Sequence, residues 1–403
     1  MKFTRKHSLS NCCFCDKFQR VTRKNTAGNT NVLTISAQYG LINQFEYYNN
    51  QYASEDTSGY TLLHKGEFAY NKSYSEGYPL GATKRLARYD SGVVSPLYIC
   101  FAPKDGVCAD FYSYYFESEP FYREIYKIAQ EGARNHGLLN VSAEDFFKIK
   151  IAAPPLAEQK RIAEILGCCD RMIALKKELI AEKKKQKKAL MQKLLDPDSG
   201  FRLPGFADEW QRLKLKDVCE INVSTLSEKT DPALKFQYID LTTVSMGRFI
   251  YNPSVTTFSQ APCRARRLLK KGDILFSTVR PYLCGIVLVD FNADNFVAST
   301  GFAILHPIVT KIYGEYIYHY LFSDDIITQG QHLLSGSNYP ALNTYDVERL
   351  DIWVPVNINE QQAIAGVLSA ANREIDLLEQ ELEQQQQKKK SLMQLLLTGI
   401  ARV

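Results

Sequence analysis

The chain has 403 residues, which predicts two or three domains at about 150 residues each. Hydrophobic residues make up 45% and charged residues 23%, and no apolar run approaches the ~20 residues that a membrane helix needs, so a membrane protein and a disordered chain are excluded. The 49 Lys and Arg against 44 Asp and Glu give a net charge of +5, which only mildly favours a polyanionic partner.

The N-terminal region carries a cysteine cluster and no apolar stretch of the kind found in secretory signals. We therefore expect a reducing compartment and mostly free thiols for the ten cysteines, which excludes a secreted disulfide scaffold. Cys12-x-x-Cys15 would supply half of a zinc site, but no second CxxC and no HxxxH follow. We predict no metal site and no catalytic histidine.

The first 153 residues have mixed strand and loop character, with strand-like runs at residues 32–36 and 65–73. Basic and amide side chains interleaved with tyrosines fill the loops, and such residues contact phosphates or base edges in DNA. The alternative for each is ordinary surface charge. The candidate DNA-binding residues are Lys72, Tyr74, Lys84, Arg85, Arg88, Arg134 and Asn135.

Residues 154–196 are rich in helix formers and end at the breaker Asp196-Pro197. Apolar and long side chains recur in steps of three and four, which is typical of a coiled-coil seam. The seam residues that we expect to pair helices or dock partners are Ile162, Leu166, Ile173, Ile180, Leu190 and Leu194. The seam positions in the C-terminal third of the helix are polar, which should weaken helix–helix packing in that part.

Residues 197–356 repeat the mixed character, with strand-like runs at 235–241, 273–279 and 284–289 and a helical stretch near 313–322. The strand-like runs and glycine-containing segments follow one another in the same order as in the first region, whereas the loop sequences differ. Two copies of one scaffold with different loops suggest two different ligands. The candidate DNA-binding residues are Arg264, Arg266, Arg267, Lys271, Arg280, Ser337 and Asn338.

Residues 357–403 form a second copy of the helix, matching the first at a constant offset of 202 positions over about 40 residues. The seam residues of this copy are Ile364, Leu368, Ile375, Leu382, Leu392 and Leu396. Opposite charges on the two copies favour their pairing with each other. The charged residues are Lys183, Lys184, Lys185, Lys187 and Lys188 in the first copy and Glu374, Asp376, Glu379, Glu381 and Glu383 in the second. Such a pair predicts a rod about 57 Å long rather than a domain core. The alternative is two unrelated amphipathic helices on separate cores.

Catalytic motifs are missing from the sequence: it contains no phosphate loop, no dinucleotide fingerprint, no HExxH, no GxSxG and no amino-methyltransferase motif. A binding role therefore fits better than catalysis. Two alternatives stay open, a self-contained DNA nuclease and a duplicated protein-interaction scaffold.

The two helix starts, Glu158-Gln159-Lys160-Arg161-Ile162-Ala163 and Glu360-Gln361-Gln362-Ala363-Ile364-Ala365, resemble those of the specificity (S) subunits of type I restriction–modification systems. The segment from Gly200 through Trp210 to Leu213 resembles the lead into that family's second target-recognition domain. The similarity covers nearly the whole chain.

The resemblance implies an α+β fold with two target-recognition domains separated by two long helices that form an antiparallel coiled coil, related by a pseudo-two-fold repeat. It implies a cytoplasmic bacterial or archaeal protein without catalytic activity, each domain of which reads one half of a bipartite, asymmetric site in double-stranded DNA. Two modification subunits would supply S-adenosylmethionine and adenine methylation, and restriction subunits would supply ATP- and Mg-dependent cleavage. No cofactor is expected on this chain.

The first domain departs from the family pattern at its start. Residues 1–16 stand where the second domain has its lead segment, and the similarity resumes near Phe18. We therefore expect the first domain to lack its opening strand.

Overall fold

The computed structural model describes residues 4–5, 9–36, 39–50, 52–73, 77–129, 139–250, 252–334 and 340–403. The chain divides into two compact units. The first comprises Met1–Lys177 and Gln380–Val403, and the second comprises Glu178–Glu379. Each unit therefore combines one mixed α/β domain with parts of both long helices.

The first domain consists of short strands and helices. Its strands are β1 (Thr4–Arg5), β2 (Asn11–Cys13), β3 (Phe18–Arg20), β4 (Leu33–Ser36), β5 (Gly40–Asn43), β6 (Thr61–His64), β7 (Phe68–Asn71), β8 (Ala82–Arg85), β9 (Ser91–Val94), β10 (Ile99–Pro103) and β11 (Lys150–Ala152). Its helices are α1 (Phe14–Lys17), α2 (Gln44–Tyr48), α3 (Ala109–Tyr115), α4 (Glu119–Ile128) and α5 (Ala143–Lys148). The long helix α6 (Leu156–Leu194) follows.

The core of the first domain is aromatic and lies against the antiparallel sheet β3-β10-β7-β8. Phe14, Phe18, Phe68 and Phe101 are fully buried. The Phe14 ring centroid lies 4.7 Å from that of Phe18, which lies 5.3 Å from that of Phe101. Edge-to-face and offset contacts of this kind add to the hydrophobic gain of burying the rings.

The second domain repeats this architecture. Its strands are β12 (Trp210–Lys214), β13 (Cys219–Ile221), β14 (Lys235–Ile239), β15 (Val244–Ser245), β16 (Arg248–Phe249), β17 (Ser254–Thr257), β18 (Ala265–Leu268), β19 (Ile274–Ser277), β20 (Ile286–Leu288), β21 (Phe296–Ser299), β22 (Phe302–Pro307) and β23 (Asp351–Pro355). Its helices are α7 (Leu215–Val218), α8 (Gly314–Tyr320), α9 (Asp324–Leu333) and α10 (Thr344–Glu348). The long helix α11 (Ile358–Leu397) and strand β24 (Ala401–Arg402) complete the chain.

Strand order confirms that the domains are copies. The sheet β13-β22-β19-β20 has the order of β3-β10-β7-β8. A second sheet, β17-β14-β21-β18, contains the parallel pair β14 and β21. In the first domain β4 pairs with β5 and β6 with β9, and a parallel bridge from Val32 to Val93 joins these pairs in the same order.

The expectation that the first domain lacks its opening strand is wrong. Strand β2 pairs antiparallel with β11, which places Cys13 opposite Lys150 and Asn11 opposite Ala152. This pairing occupies the place of β12 with β23 in the second domain, where five residue pairs are formed instead of three. Sequence comparison missed the strand because backbone pairing over three residues needs no particular side chains.

The predicted seam residues lie on the less exposed faces of α6 and α11. All six seam residues named on each helix are buried or half-buried. Within the first unit Lys176 pairs with Glu381, and within the second Lys183 Nζ lies 2.6 Å from Glu374. In the first unit Asp170 pairs with Lys389 as well as Lys176 with Glu381, so rising numbers on α6 meet falling numbers on α11 and the segments there pair antiparallel. The pairing of lysines with glutamates matches the predicted charge complementarity.

The prediction of a rod separate from the domain cores is wrong at the helix ends. Ile162, Leu166 and Leu396 belong to the hydrophobic core of the first unit. Leu194 and Leu368 belong likewise to the core of the second unit. The ends of the helices thus form part of the domain cores, and their middle parts form the two-helix coiled coil.

The Glu-Gln pair at each helix start has a structural explanation. Gln361 Oε1 accepts a hydrogen bond from Tyr313 N (2.8 Å), and its Nε2 donates to Pro355 O (2.8 Å). Gln159 makes the same two bonds, with Cys108 N (2.9 Å) and Pro154 O (2.8 Å). Each glutamine therefore fastens a helix start to its own domain.

Candidate DNA-recognition surface

Three predicted DNA-contact residues of the first domain form ion pairs with carboxylates. Lys84 pairs with Glu117, and its side chain is only 11% exposed. Arg85 Nη1 lies 2.5 Å from Asp110, and Arg88 Nη2 lies 3.0 Å from Glu46. These ion pairs weigh against a DNA contact by Lys84, Arg85 and Arg88, whose assignment stays a prediction.

Lys72 lies where the central strand β7 ends. Its carbonyl accepts a hydrogen bond from Leu139 N (3.1 Å), and its Nζ donates to Val141 O (3.3 Å). Lys72 thus lies beside the segment that leads into α5. Three further predicted contacts, Tyr74, Arg134 and Asn135, lie outside the described residues.

The second domain repeats this connection with different side chains. Thr278, directly after β19, accepts a hydrogen bond from Leu342 N (2.9 Å), as Lys72 does from Leu139. Two residues on, Arg280 N donates to Pro340 O (2.9 Å), and the Arg280 backbone has a left-handed φ of 48°. Ser337 and Asn338 lie outside the described residues.

Arg264 lies at the same end of the second domain as Arg280. Thr300 N donates to Arg264 O (2.8 Å), and Thr278 N donates to the neighbouring Gly301 O (3.0 Å). Both arginines are exposed. Lys271, by contrast, precedes β19 and lies at the opposite end of that strand, so the structure does not bring it together with Arg280.

Strand β18 carries Arg266 and Arg267 in different surroundings. The Arg266 guanidinium packs on the Phe258 ring at 4.7 Å. Arg267 is half-buried, and its Nε has no hydrogen-bond partner among the described residues. Burial lowers the pKa of Arg267. The unsatisfied Nε is itself buried from solvent, so an incoming acceptor such as a base edge or a phosphate reaches Arg267 only at the exposed part of its side chain.

Sequence reasoning missed an exposed tyrosine surface on the first domain. The Tyr48 ring lies 4.6 Å from that of Tyr47 and 5.3 Å from that of Tyr52, and Tyr39 contacts Tyr47 at 6.5 Å. The signal was present, because residues 37–60 contain five tyrosines, three acidic residues and no Lys or Arg. This surface lacks the positive charge that a DNA backbone would favour.

Arg248, also missed, joins the second domain to α11. Its Nη1 lies 2.5 Å from Glu379, and its Nη2 contacts Asp376. No local sequence signal marks this residue, because its partners are about 130 positions away.

The described part of the chain contains no helix long and apolar enough to cross a membrane. Within the same residues, no group of three or more His, Cys, Asp or Glu side chains is placed to hold a metal ion.

The family model for the type I restriction modification DNA specificity domain matches residues 17–184 and 207–386. The chain belongs to this family. The match occurs twice, once over each domain and most of the helix that follows it. The family assigns the chain to the specificity subunits, whose role is not catalytic.

Curated relatives agree with this assignment. The type I restriction enzyme MjaVIII specificity subunit of Methanocaldococcus jannaschii is 27% identical over 326 residues, which cover 77% of this chain and 75% of that protein. The HindI specificity subunit of Haemophilus influenzae is 24% identical over 181 residues, or 44% of this chain and 39% of that protein.

Solved structures share the fold. The S subunit of a type I restriction–modification system from M. genitalium superimposes with a TM-score of 0.57 at 16% identity, covering 98% of both chains. A chain from a study of complex assembly and conformational transition of the type I system superimposes with a TM-score of 0.59 at 16% identity, covering 99% of both chains.

Proposed function

We propose that this specificity subunit recognises a bipartite, asymmetric DNA site, with each domain reading one half. The observation that carries the proposal is the repeated scaffold with unlike loops. Lys72 and Thr278 hold matching backbone positions but carry unlike side chains: the Lys72 Nζ donates to Val141 O, whereas the Thr278 hydroxyl is buried and donates to Gly301 O. Because base edges are distinguished by the donors and acceptors placed against them, unlike loops on one scaffold favour two different half-sites.

The second domain offers the better-supported contact residues. Arg264 and Arg280 are exposed at one end of the domain, and Arg267 is half-buried on β18. An arginine that forms a good pair with a guanine discriminates against the wrong base by about 1–3 kcal/mol. We infer that Arg267 contacts a base or the adjacent phosphate, whereas Arg264 and Arg280 hold the backbone.

We also propose that the helices fix an unread spacer and dock two modification subunits, with restriction subunits joining the complex. The seam residues are unsuited to docking because they face inward. Exposed apolar side chains on the same helices fit the role better. The most exposed of them are Met172, Leu175 and Leu179 on α6 and Leu377 on α11. S-adenosylmethionine, ATP and Mg would then be bound by the partner subunits.

DNA binding by the chain together with its modification subunit tests this proposal. We expect weak, salt-sensitive binding by the chain alone and a footprint of two separated segments with the complex. Arg267→Ala should weaken binding to the footprinted site about tenfold, while Arg123→Ala, at an exposed intrahelical ion pair, should leave it unchanged. A single continuous footprint, or none, would overturn the proposal.

A further inference from the structure

A hairpin of the second domain reaches the helix pair through one side chain. Strands β15 and β16 form this hairpin, and Met246 N fixes it to the domain by donating to Cys284 O (3.0 Å). Arg248 at its end contacts Asp376 and Glu379 of α11. Glu379 in turn lies 2.7 Å from Lys184 Nζ of α6, so Arg248 is tied to both helices.

A gap separates most of the hairpin from the two helices. A cavity of about 980 Å³ lies beside it and is lined by Met246, Gly247, Lys187 and Ile375 among others. The Gly247 backbone has a φ of +88°, and a Cβ there would lie 2.7 Å from Tyr318 Oη. The hairpin is thus held close to α8, while the gap to the helices is bridged by the Arg248 side chain.

The first domain contacts its helices by different chemistry. Tyr114 Oη donates to Asp170 of α6 (2.7 Å), and Lys389 of α11 lies 2.5 Å from the same carboxylate. A half-buried tyrosine hydroxyl and a charged arginine side chain are not equivalent contacts. Among the described residues of the first domain, no arginine forms an ion pair with the helices as Arg248 does in the second domain.

We propose that Arg248 is a positioning residue that sets the angle of the second domain on the helix pair, and thereby the spacer length that the subunit accepts. This inference rests on the proposed bipartite recognition. One base pair advances the DNA by about 3.4 Å and rotates it by about 35°, so a domain freed to shift and turn by these amounts would accept spacers one base pair longer or shorter. Arg248 itself contacts no DNA in this account.

The test uses the chain in complex with its modification subunit and duplexes whose spacer is changed by one or two base pairs. Arg248→Asp should reduce the preference for the correct spacer about tenfold or more, while the penalty for a wrong base in either half-site stays unchanged. Arg248→Gln should have a smaller effect of the same kind. Combining Arg248→Asp with Asp376→Arg should restore the preference, whereas the exposed control Lys185→Ala should not alter it.

Unchanged spacer preference in Arg248→Asp, an equal loss of affinity for every spacer, or failure of the charge swap would overturn the inference alone. Absence of a bipartite footprint with the unaltered chain would overturn the proposed function, and this inference with it. Hydrogen exchange in the DNA-free protein provides a separate check. Arg248→Asp should speed exchange in residues 244–249, and protection equal to that of the unaltered chain would also overturn the inference.

Discussion

Arg202 and Glu360 form a two-pronged ion pair at the start of α11, with Nε 2.8 Å from Oε1 and Nη2 2.7 Å from Oε2. Arg202 follows the end of α6, so the pair ties the exit of one helix to the entry of the other. Arg402, after α11, binds Glu158 at the start of α6 in the same way at 2.5 Å. In each unit, the glutamate at the start of one long helix therefore binds an arginine that follows the end of the other.

Removing Arg202 should destabilise the second unit. Glu360 is 1% exposed, so Arg202→Met would leave a buried carboxylate without its cation, at a cost of about 3 kcal/mol. Urea unfolding measures this loss. Adding Glu360→Gln should recover part of it, and exposed Lys185→Met should cost little. A loss for Arg202→Met no larger than for Lys185→Met would contradict this explanation of the motif.

Gln361 should matter for a different reason than Glu360. Gln361→Ala would leave Tyr313 N–H and Pro355 C=O without partners in a buried position, which costs about 3 kcal/mol for the two groups. The neighbouring Gln362 is exposed, so Gln362→Ala serves as the matched control. Equal midpoints of urea unfolding for the two variants would show that the Gln361 side chain does not anchor the start of α11 to the second domain.

Substitutions of Leu368 and Leu377 should distinguish an effect on folding from an effect on partner docking. Leu368 is fully buried in the core of the second unit, so Leu368→Asp should cost more than about 4 kcal/mol. Leu377 is 60% exposed, and Leu377→Asp should change the free energy of unfolding by less than about 0.5 kcal/mol. If α11 docks a modification subunit as proposed, Leu377→Asp should weaken that association about tenfold in a titration. Unchanged association would exclude Leu377 from the docking surface.

His319 should make the second unit sensitive to acid. Burial, with a further contribution from Lys187, lowers the pKa of His319 from 6.5 to about 3. The Ser369 hydroxyl donates its proton to Glu315 Oε2 (3.0 Å), so the neutral His319 donates from Nε2 to Ser369 Oγ (2.8 Å).

Below pH 6.5 the unfolded chain binds a proton at His319 that the folded chain binds only near pH 3. The free energy of unfolding should therefore fall as the pH decreases from 6.5 towards 3, by about 2 kcal/mol at pH 5. His319→Gln should flatten this slope in urea titrations at pH 7 and pH 5, whereas exposed His332→Gln should keep it. Identical slopes for His319→Gln and the unaltered chain would refute the assignment.

Periodic and repeated features were predictable from sequence, and single long-range contacts were not. The seam positions of α6 and α11 follow from apolar spacing, and the second domain follows from the 202-residue offset. Strand β2 was missed because its pairing with β11 uses backbone groups alone. Arg248 was missed because its partners are set by folding, and the burial of Leu368 in a domain core was missed because a heptad pattern cannot tell a partner helix from a sheet.

The central claim is that two unlike domains of one subunit read two DNA half-sites across a fixed spacer. Mapping of methylated adenines in the host genome, with and without this gene, tests it most directly. The account predicts a gene-dependent motif of two short, different half-sites separated by a constant number of unspecified bases. A continuous motif, or a methylation pattern that does not change when the gene is removed, would contradict it.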